Sequence, residues 1–327
     1  MEIPEQFHVC ETTGWLVNHR INSALPGYLM ISSRSFTNDL SELSLARVWR
    51  TDRAAADRRT IRDRDDRIAE KGNARMIFAD EAFSIPIDHI HCRLSGEFQL
   101  AAAVEAERKS VWDRLLARHP AAFDGRLLRM AAYGIEDGRL TITAESTCFS
   151  AYVATRHPDF AAAHPQAERA DPLGLTVVLI TADQQVITTK RSLAAEQNPG
   201  ALYFVGGYAE PATGEEIDLF DEAARELAEE IAVTDIERSR SYAIGLAYDP
   251  VFCHPELLLL MASRSTAADI LDGAHHAPDR NEAAELFASP LSDILNDDDF
   301  LPGAPRTWSF LKAQTFLQHH FRQRHSL

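Results

Sequence analysis

The run Arg225-Glu226-Leu227-Ala228-Glu229-Glu230 carries the densest chemistry in the chain. On a helix Glu226 stands three and four residues from Glu229 and Glu230, which places all three carboxylates on one face. Like charges crowded in this way destabilise a helix unless a cation sits among them. Ligands that are all oxygen suit a hard divalent ion, Mg²⁺ or Mn²⁺, of the kind that bridges carboxylates and substrate phosphates. Taken alone, an acidic run such as EEIDLFDEAARELAEE is as readily the solvated face of an amphipathic helix. The flanks favour a site: a β-rich stretch at 201–205 runs into Gly206-Gly207, and the helix begins beyond a loop containing Pro211 and Gly214. Strand, glycine turn and acidic helix together make a layout for phosphate and metal.

Elements on either side are placed to serve that helix. Strands at 175–181 and 186–190, joined by a turn at 182–185, form a hairpin that brings Lys190 and Arg191 to one end of a sheet. Cations there meet a diphosphate bound at the acidic helix, Arg offering paired hydrogen bonds; a solubilising surface pair is the evenly weighted alternative. Downstream, strands are expected at 241–248 and 256–262, the second opening with Glu256 ahead of four leucines. An ionised Glu in that position is expensive to bury unless it is paired or metal-bound. His254 could donate to phosphate, although a surface-loop histidine is the favoured reading. His89 and His91 share one face of a strand at 87–94, read as a polar face in preference to a metal site. A helix at 100–118 buries Trp112, Leu115 and Leu116, strands follow at 127–135 and 139–145, a short helix at 267–271, a last strand after Glu282, Glu285 and Phe287, and a closing helix at 308–322 with Trp308, Leu311, Phe316 and Leu317 inward.

At 327 residues, 45% apolar and 25% charged, the chain has the composition of an ordinary globular protein with room for two cores. A formal charge of −16 argues against nucleic acid as a main partner, whereas a nucleotide can be met by bound divalent ions. Cys10, Cys92, Cys148 and Cys253 are scattered and form no C-x-x-C pair, so neither a zinc site nor a disulfide framework is expected. The start, MEIPEQFHVCE, lacks the basic and apolar segments of a secretory signal, and the longest apolar run, 257–261, suits a buried strand. A cytoplasmic protein without membrane contact is the expectation.

The stretch 206–233 resembles the Nudix box, the signature of hydrolases that cut nucleoside diphosphates linked to another moiety: Arg225-Glu226-Leu227, Glu229-Glu230 and Val233 match it. Seventeen residues separate Gly207 from Arg225, more than the pattern has, so Glu210, Glu215 and Glu216 compete for its first glutamate. Ala232 replaces its late glycine. Val111-Trp112-Asp113 with His119-Pro120, Asp171-Pro172-Leu173-Gly174, Lys190-Arg191-Ser192, Phe204-Val205-Gly206-Gly207 with Glu210-Pro211, and Glu256 resemble a smaller group, the Nudix UDP-glucose and UDP-galactose diphosphatases. That group shares both departures, and the resemblance spans about residues 83–320.

The resemblance implies an α+β protein: a Nudix α/β/α sandwich with a mixed sheet at 169–327, preceded by a small α/β domain at 76–168 that helps to enclose the substrate. It implies Mg²⁺, or Mn²⁺, held by Glu226, Glu229, Glu230, Glu256 and the Gly207 carbonyl, with one glutamate as base and Arg225 orienting its neighbours. It implies hydrolysis of a nucleotide sugar to sugar 1-phosphate and UMP, with Lys190, Arg191 and Tyr152 on the substrate. Core packing is the favoured reading of Tyr152. Another diphosphate such as ADP-ribose, or a sensor that binds without turnover, are the rival readings. Residues 1–46 look like the opening of a HIT (histidine triad) domain, without the strand that carries its histidines. The Arg- and Asp-rich segment 47–75 is too polar to build a core and reads as a charged linker.

Overall fold

The computed structural model describes strands at 8–11, 15–19 and 29–33 and residues 80–325, except 194, 212–213 and 297–303. It divides into two compact units, 1–74 and 75–327. In the first, strands β1 (His8–Glu11), β2 (Trp15–His19) and β3 (Leu29–Ser33) form an antiparallel sheet in that order. β2 and β3 form a hairpin, with Trp15 opposite Ser33 and His19 opposite Leu29. The linker read at 47–75 lies outside the described residues.

The second unit runs through β4 (Glu81–Pro86), β5 (Ile90–Glu97), α1 (Ala102–Leu116), β6 (Arg126–Glu136), β7 (Arg139–Cys148), α2 (Phe149–Thr155) and α3 (Phe160–Ala163). It continues with β8 (Gly174–Ile180), β9 (Gln185–Arg191), β10 (Leu202–Tyr203), β11 (Gly206–Tyr208), β12 (Glu216–Ile217) and α4 (Leu219–Ile231). It ends with β13 (Tyr242–Asp249), β14 (His254–Ala262), α5 (Ala267–Gly273), β15 (Ala283–Pro290), α6 (Leu291–Asn296) and α7 (Trp308–His325). The larger sheet has the order β10-β9-β8-β14-β13-β4, with β11 also on β8 and β15 on β9; β14 and β8 are parallel and the other pairs antiparallel.

Strand alternation turns that sheet into the middle of a sandwich. Leu257, Leu259 and Met261 pack with Val177 and Leu179 against Leu219, Ala223, Leu227 and Ile231 of α4. Leu258 and Leu260 point the other way, with Val178 and Ile180, onto Phe310, Ala313, Phe316 and Leu317 of α7. Both central strands are buried along their whole length, which is why they read as unbroken apolar runs. Phe204 stacks on Phe310 with ring centroids 4.4 Å apart, fastening the chain between β10 and β11 onto α7; Gly206 and Gly207, expected in a turn, lie in β11 and pair with β8. The fold class is α+β, as expected. No helix among the described residues is long and apolar enough to cross a membrane.

The smaller sheet, ordered β12-β5-β7-β6, is joined to the larger by main-chain bonds: Leu173 N donates to Leu128 O at 2.7 Å, Leu128 N to Ala209 O at 2.8 Å, and Ala209 N to Leu173 O at 2.9 Å. Each sheet also takes a strand from the other's stretch of sequence, since β4 lies on β13 and β12 on β5. Arg129 is buried beneath this junction and pairs with Glu145 at 2.6 Å and Glu168 at 2.7 Å.

Some expectations are corrected. Phe310, and not Leu311, faces inward from α7; Leu311 is 48% exposed, because the helix meets the sheet one residue earlier in its turn. Glu285 and Phe287 lie within β15 and do not precede it. His89 ends a 3-10 turn at Ile87–His89 and only His91 lies in a strand, β5, so the two do not share a strand face, though both are exposed.

α4 ends as its altered motif requires. Ala232 caps it in the left-handed region, φ 57° and ψ 26°, its N–H bonding to Ala228 O while Val233 N bonds to Leu227 O. A Cβ in that conformation costs about 1–2 kcal/mol. Part of that is offset by the lower entropy of Ala in the unfolded chain, about 0.4–1 kcal/mol. Ala232→Gly should therefore raise stability by roughly 0.5–1 kcal/mol in urea denaturation with an unchanged m-value; a destabilised variant would contradict the strained cap.

Candidate functional site

α4 is built to hold its acids in place. Asp218 caps its start, its side chain accepting from Phe220 N and Asp221 N, and Leu219, Ala223, Leu227 and Ile231 anchor it to the sheet. Glu230 follows the anchoring stripe and is only 2% exposed. Its Oε2 accepts from the Tyr203 hydroxyl at 2.6 Å and its Oε1 from Gly206 N at 3.4 Å. Arg225 lies among the remaining acids, 2.6 Å from Glu229, 2.9 Å from Glu226 and 3.2 Å from Glu222. This is the cation that the crowded carboxylates call for.

The two glycines are a matter of clearance. A Cβ on Gly206 would lie 1.9 Å from the Leu175 carbonyl oxygen, and one on Gly207 would lie 2.7 Å from Glu226 Oε1. Only bare backbone fits between β8 and the helix. Glu256 arrives from the neighbouring strand, buried, with its Oε1 accepting from Thr176 Oγ1 at 2.5 Å and its Oε2 3.4 Å from His254 Nδ1. Gly174 stands opposite Glu256 in the parallel register, and a Cβ there would meet the Glu256 carboxylate at 2.2 Å.

These groups line one cavity of about 480 Å³: Glu226, Glu229, Glu230 and Glu256, with Arg225 and Gly207. Arg191 lines it too, its guanidinium 4.9 Å above the Tyr203 ring; its Nε is buried without a hydrogen-bond partner among the described residues. Lys190 does not reach the cavity. Side chains alternate along β9, so Lys190 points the other way and pairs with Glu285 of β15 at 2.9 Å. Tyr152 is fully buried, its hydroxyl donating to Phe252 O at 2.7 Å and meeting the Tyr208 hydroxyl at 3.1 Å, so it packs behind the cavity wall.

Of the competing loop glutamates, Glu210 lines the cavity, its N–H donating to Glu222 at 3.1 Å. Glu215 pairs with Arg93 at 2.9 Å, and Glu216 lies in β12 opposite that same arginine, on the smaller sheet. His254 is buried at the start of β14 and lines the cavity, a correction to the surface-loop reading; burial lowers its pKa.

Burial also sets the acids' protonation. It pushes Glu226 up to about 8 against the pull of Arg225, with Glu230, Glu229 and Glu282 adding to the rise. It pushes Glu230 up to about 7 against the Tyr203 hydrogen bond, and Glu256 to about 8 against the bond from Thr176. Among the described residues, no three acidic, histidine or cysteine side chains are drawn together closely enough to hold an ion as they stand. The donor chemistry fits a hard divalent cation nonetheless: the carboxylates present oxygen alone, and burial makes their ionised forms costly unless a positive charge meets them.

Sequence reasoning missed Tyr203, which braces Glu230 and carries Arg191, and Glu282, whose charge bears on Glu226 and Glu230. The 3.6-residue period finds partners within α4, but these come from elsewhere. Tyr203 lies in a stretch recognised as strand, where alternation relates it to Val205 yet says nothing of the helix above.

No protein-family model matches the chain, and no curated protein matches it in sequence. Solved structures similar to it include the MutT protein from Methanosarcina mazei Go1, at 15% identity over 47% of this chain and 94% of that one, with a TM-score of 0.33. A NUDIX hydrolase from Alicyclobacillus acidocaldarius is similar at 16% identity over 45% and 91%, with a TM-score of 0.34. A NUDIX-family hydrolase from Clostridium perfringens is similar at 13% over 45% and 97%, with a TM-score of 0.30. These scores are low, and the reading of the site rests on its own geometry.

Proposed function

We propose that the chain is a Nudix-type hydrolase that cleaves the diphosphate of a nucleotide sugar, UDP-glucose or UDP-galactose, to sugar 1-phosphate and UMP. The observation that carries the reaction type is the single cavity in which Glu226, Glu229, Glu230 and Glu256 are gathered with Arg191, a cation whose Nε lacks a partner among the described residues. The sugar and base follow from the resemblance of residues 83–320. Since the acids address a diphosphate and not what it is joined to, ADP-ribose is the second substrate to try.

The chain's own part in the reaction is largely electrostatic. Arg191 holds a phosphate oxygen through its fork of donors. A water attacks one phosphorus, the bridging P–O bond breaks, and the water's proton passes to one of the glutamates. Arg225 keeps Glu226 and Glu229 in register, and Tyr203 fixes Glu230. Mg²⁺ or Mn²⁺, held by Glu226, Glu229, Glu230 and Glu256 with the Gly207 carbonyl, would supply charge neutralisation for the diphosphate.

Incubation with UDP-glucose and Mg²⁺, with products identified by chromatography, tests the reading directly. Glucose 1-phosphate and UMP are expected, while binding without turnover would indicate a sensor. Glu230→Gln should lower kcat by about 10²-fold or more with the circular dichroism spectrum unchanged; full activity would sink the assignment. Arg191→Ala should lower kcat/KM by roughly 10–100-fold, the worth of a hydrogen bond to a charged group. Lys190→Ala should change it less than about 2-fold, since an exposed pair with Glu285 contributes little.

Stability without metal should fall as pH rises. Unfolded, the three carboxyls titrate near their ordinary 4.5; folded, they keep their protons up to about 7 or 8. The folded chain therefore binds more protons within that window, and stability declines from pH 4.5 towards 8. In EDTA, Tm should drop between pH 5.5 and 8, and Mg²⁺ should restore it at pH 8. A flat Tm in EDTA would refute the buried acids, and the absence of restoration would refute the cation.

A further inference from the structure

The acids and Arg191 account for part of the cavity wall. Another part has a different chemistry, contributed by Ala121, Ala122, Phe123, Leu127 and Phe149. Leu127 is buried, and Phe149 is tied down by its neighbours, edge-on to Trp112 at 5.9 Å and tilted against Tyr152 at 5.9 Å. Phe123 is 76% exposed. A lone exposed phenylalanine needs no explanation in itself. This one lies on the lip of the same cavity that holds Arg191, and its ring lies against the Gly125 backbone, where a Cβ would come within 2.7 Å of it. The glycine leaves room for the ring to rest there, so little ordering is left to be done when something lies on it. Gln197 and Asn198 line the cavity as well, Asn198 held at φ 48° and Gln197 held by its Nε2, which donates to the Tyr208 hydroxyl at 3.3 Å; the Asn198 amide and the Gln197 carbonyl oxygen offer a donor and acceptors to a ligand.

We propose that this wall is a nucleobase subsite, with Phe123 as the stacking platform and the amides of Gln197 and Asn198 reading the edge of the base. The placement of the phosphates towards Arg191 rests on the diphosphate reading given above. A base suits the wall better than a hexose does. A flat heteroaromatic ring gains about 1–3 kcal/mol by stacking on an aromatic side chain and carries its polar groups at its edge. A hexose can also lay its C–H face on an aromatic ring, but it needs polar partners around its whole rim, and Ala121, Ala122 and Leu127 beside Phe123 offer no side-chain donor or acceptor.

Equilibrium titration in Mg²⁺ tests the subsite without relying on turnover. UMP, AMP and glucose 1-phosphate are titrated calorimetrically into the wild type, Phe123→Ala and Phe123→Trp. The expected result is nucleotide binding to the wild type, weakened at least tenfold by Phe123→Ala, recovered by Phe123→Trp, with glucose 1-phosphate affinity the same in all three. Unchanged nucleotide affinity in Phe123→Ala overturns the proposal, as does a wild type that binds neither UMP nor AMP. Loss of glucose 1-phosphate with nucleotide retained also overturns it, assigning the ring to the sugar. Because Phe123 is exposed, equal Tm values for the three proteins confirm that folding is not what changed. A wild type that binds UMP through Phe123 yet fails to hydrolyse UDP-glucose would refute the proposed activity and leave the subsite standing.

Discussion

The structure depends on keeping carboxylates out of water. Glu226, Glu230 and Glu256 are withdrawn into the fold from two elements, a helix and a strand, that approach β8 and β11. An ionised acid removed from solvent costs several kcal/mol unless its oxygens are met by donors or cations. The fold meets some of that cost with single, well-placed groups: Tyr203 for Glu230, Thr176 for Glu256 and Arg225 for Glu226. The rest is sustained by the apolar contacts of Leu219, Ala223, Leu227 and Ile231, which hold the helix on the sheet whatever its acids would prefer. The three glycines follow from the same constraint. Gly174 and Gly207 leave space for a carboxylate, and Gly206 for the carbonyl of Leu175.

Much of this arrangement is legible in the sequence because it is periodic. The leucine run at 257–260 could only be a strand buried on both faces, and the acids of α4 recur at helical spacing. What the sequence hides is what periodicity does not encode. Lys190 and Arg191 are adjacent, and alternation sends only one of them inward; which one depends on the register of β9 against its neighbours. His254 looks like a loop residue because Asp249-Pro250 precedes it, yet β14 begins at this histidine and carries it into the core. Phe310 and Leu311 are equally apolar, and the docking angle of α7 decides between them.

The long loop before α4 has a physical reason that no linear motif could supply. Its far end forms β12, which pairs Glu216 with Arg93 and Ile217 with Cys92 on the edge of the smaller sheet. Two of the glutamates that compete in the sequence are thereby carried away from the cavity, and Glu210 is left on its wall. The extra residues are the length needed to cross to the second sheet and return to the helix. Ala232 belongs to the same economy: the chain must reverse there to enter the next strand, so it takes the left-handed cap without a glycine.

The balance of charge in the cavity then limits what can enter it. Arg225 is shared among Glu222, Glu226 and Glu229, and Arg156 is paired through both of its terminal nitrogens with Glu196. Neither has charge to spare for a ligand. Against Arg191 stand Glu230 and Glu256, with Asp279 and Glu282 on the same wall. A diphosphate brings further negative charge into a space where acidic side chains outnumber the guanidiniums, and that repulsion opposes its entry. Such a ligand could enter only with cations imported from solution or with the acids protonated. Burial raises the pKa of Glu226 and of Glu256 to about 8, which favours the second route. On the proposed reading, divalent ions would offset the charge of the cavity before any step of the chemistry is considered.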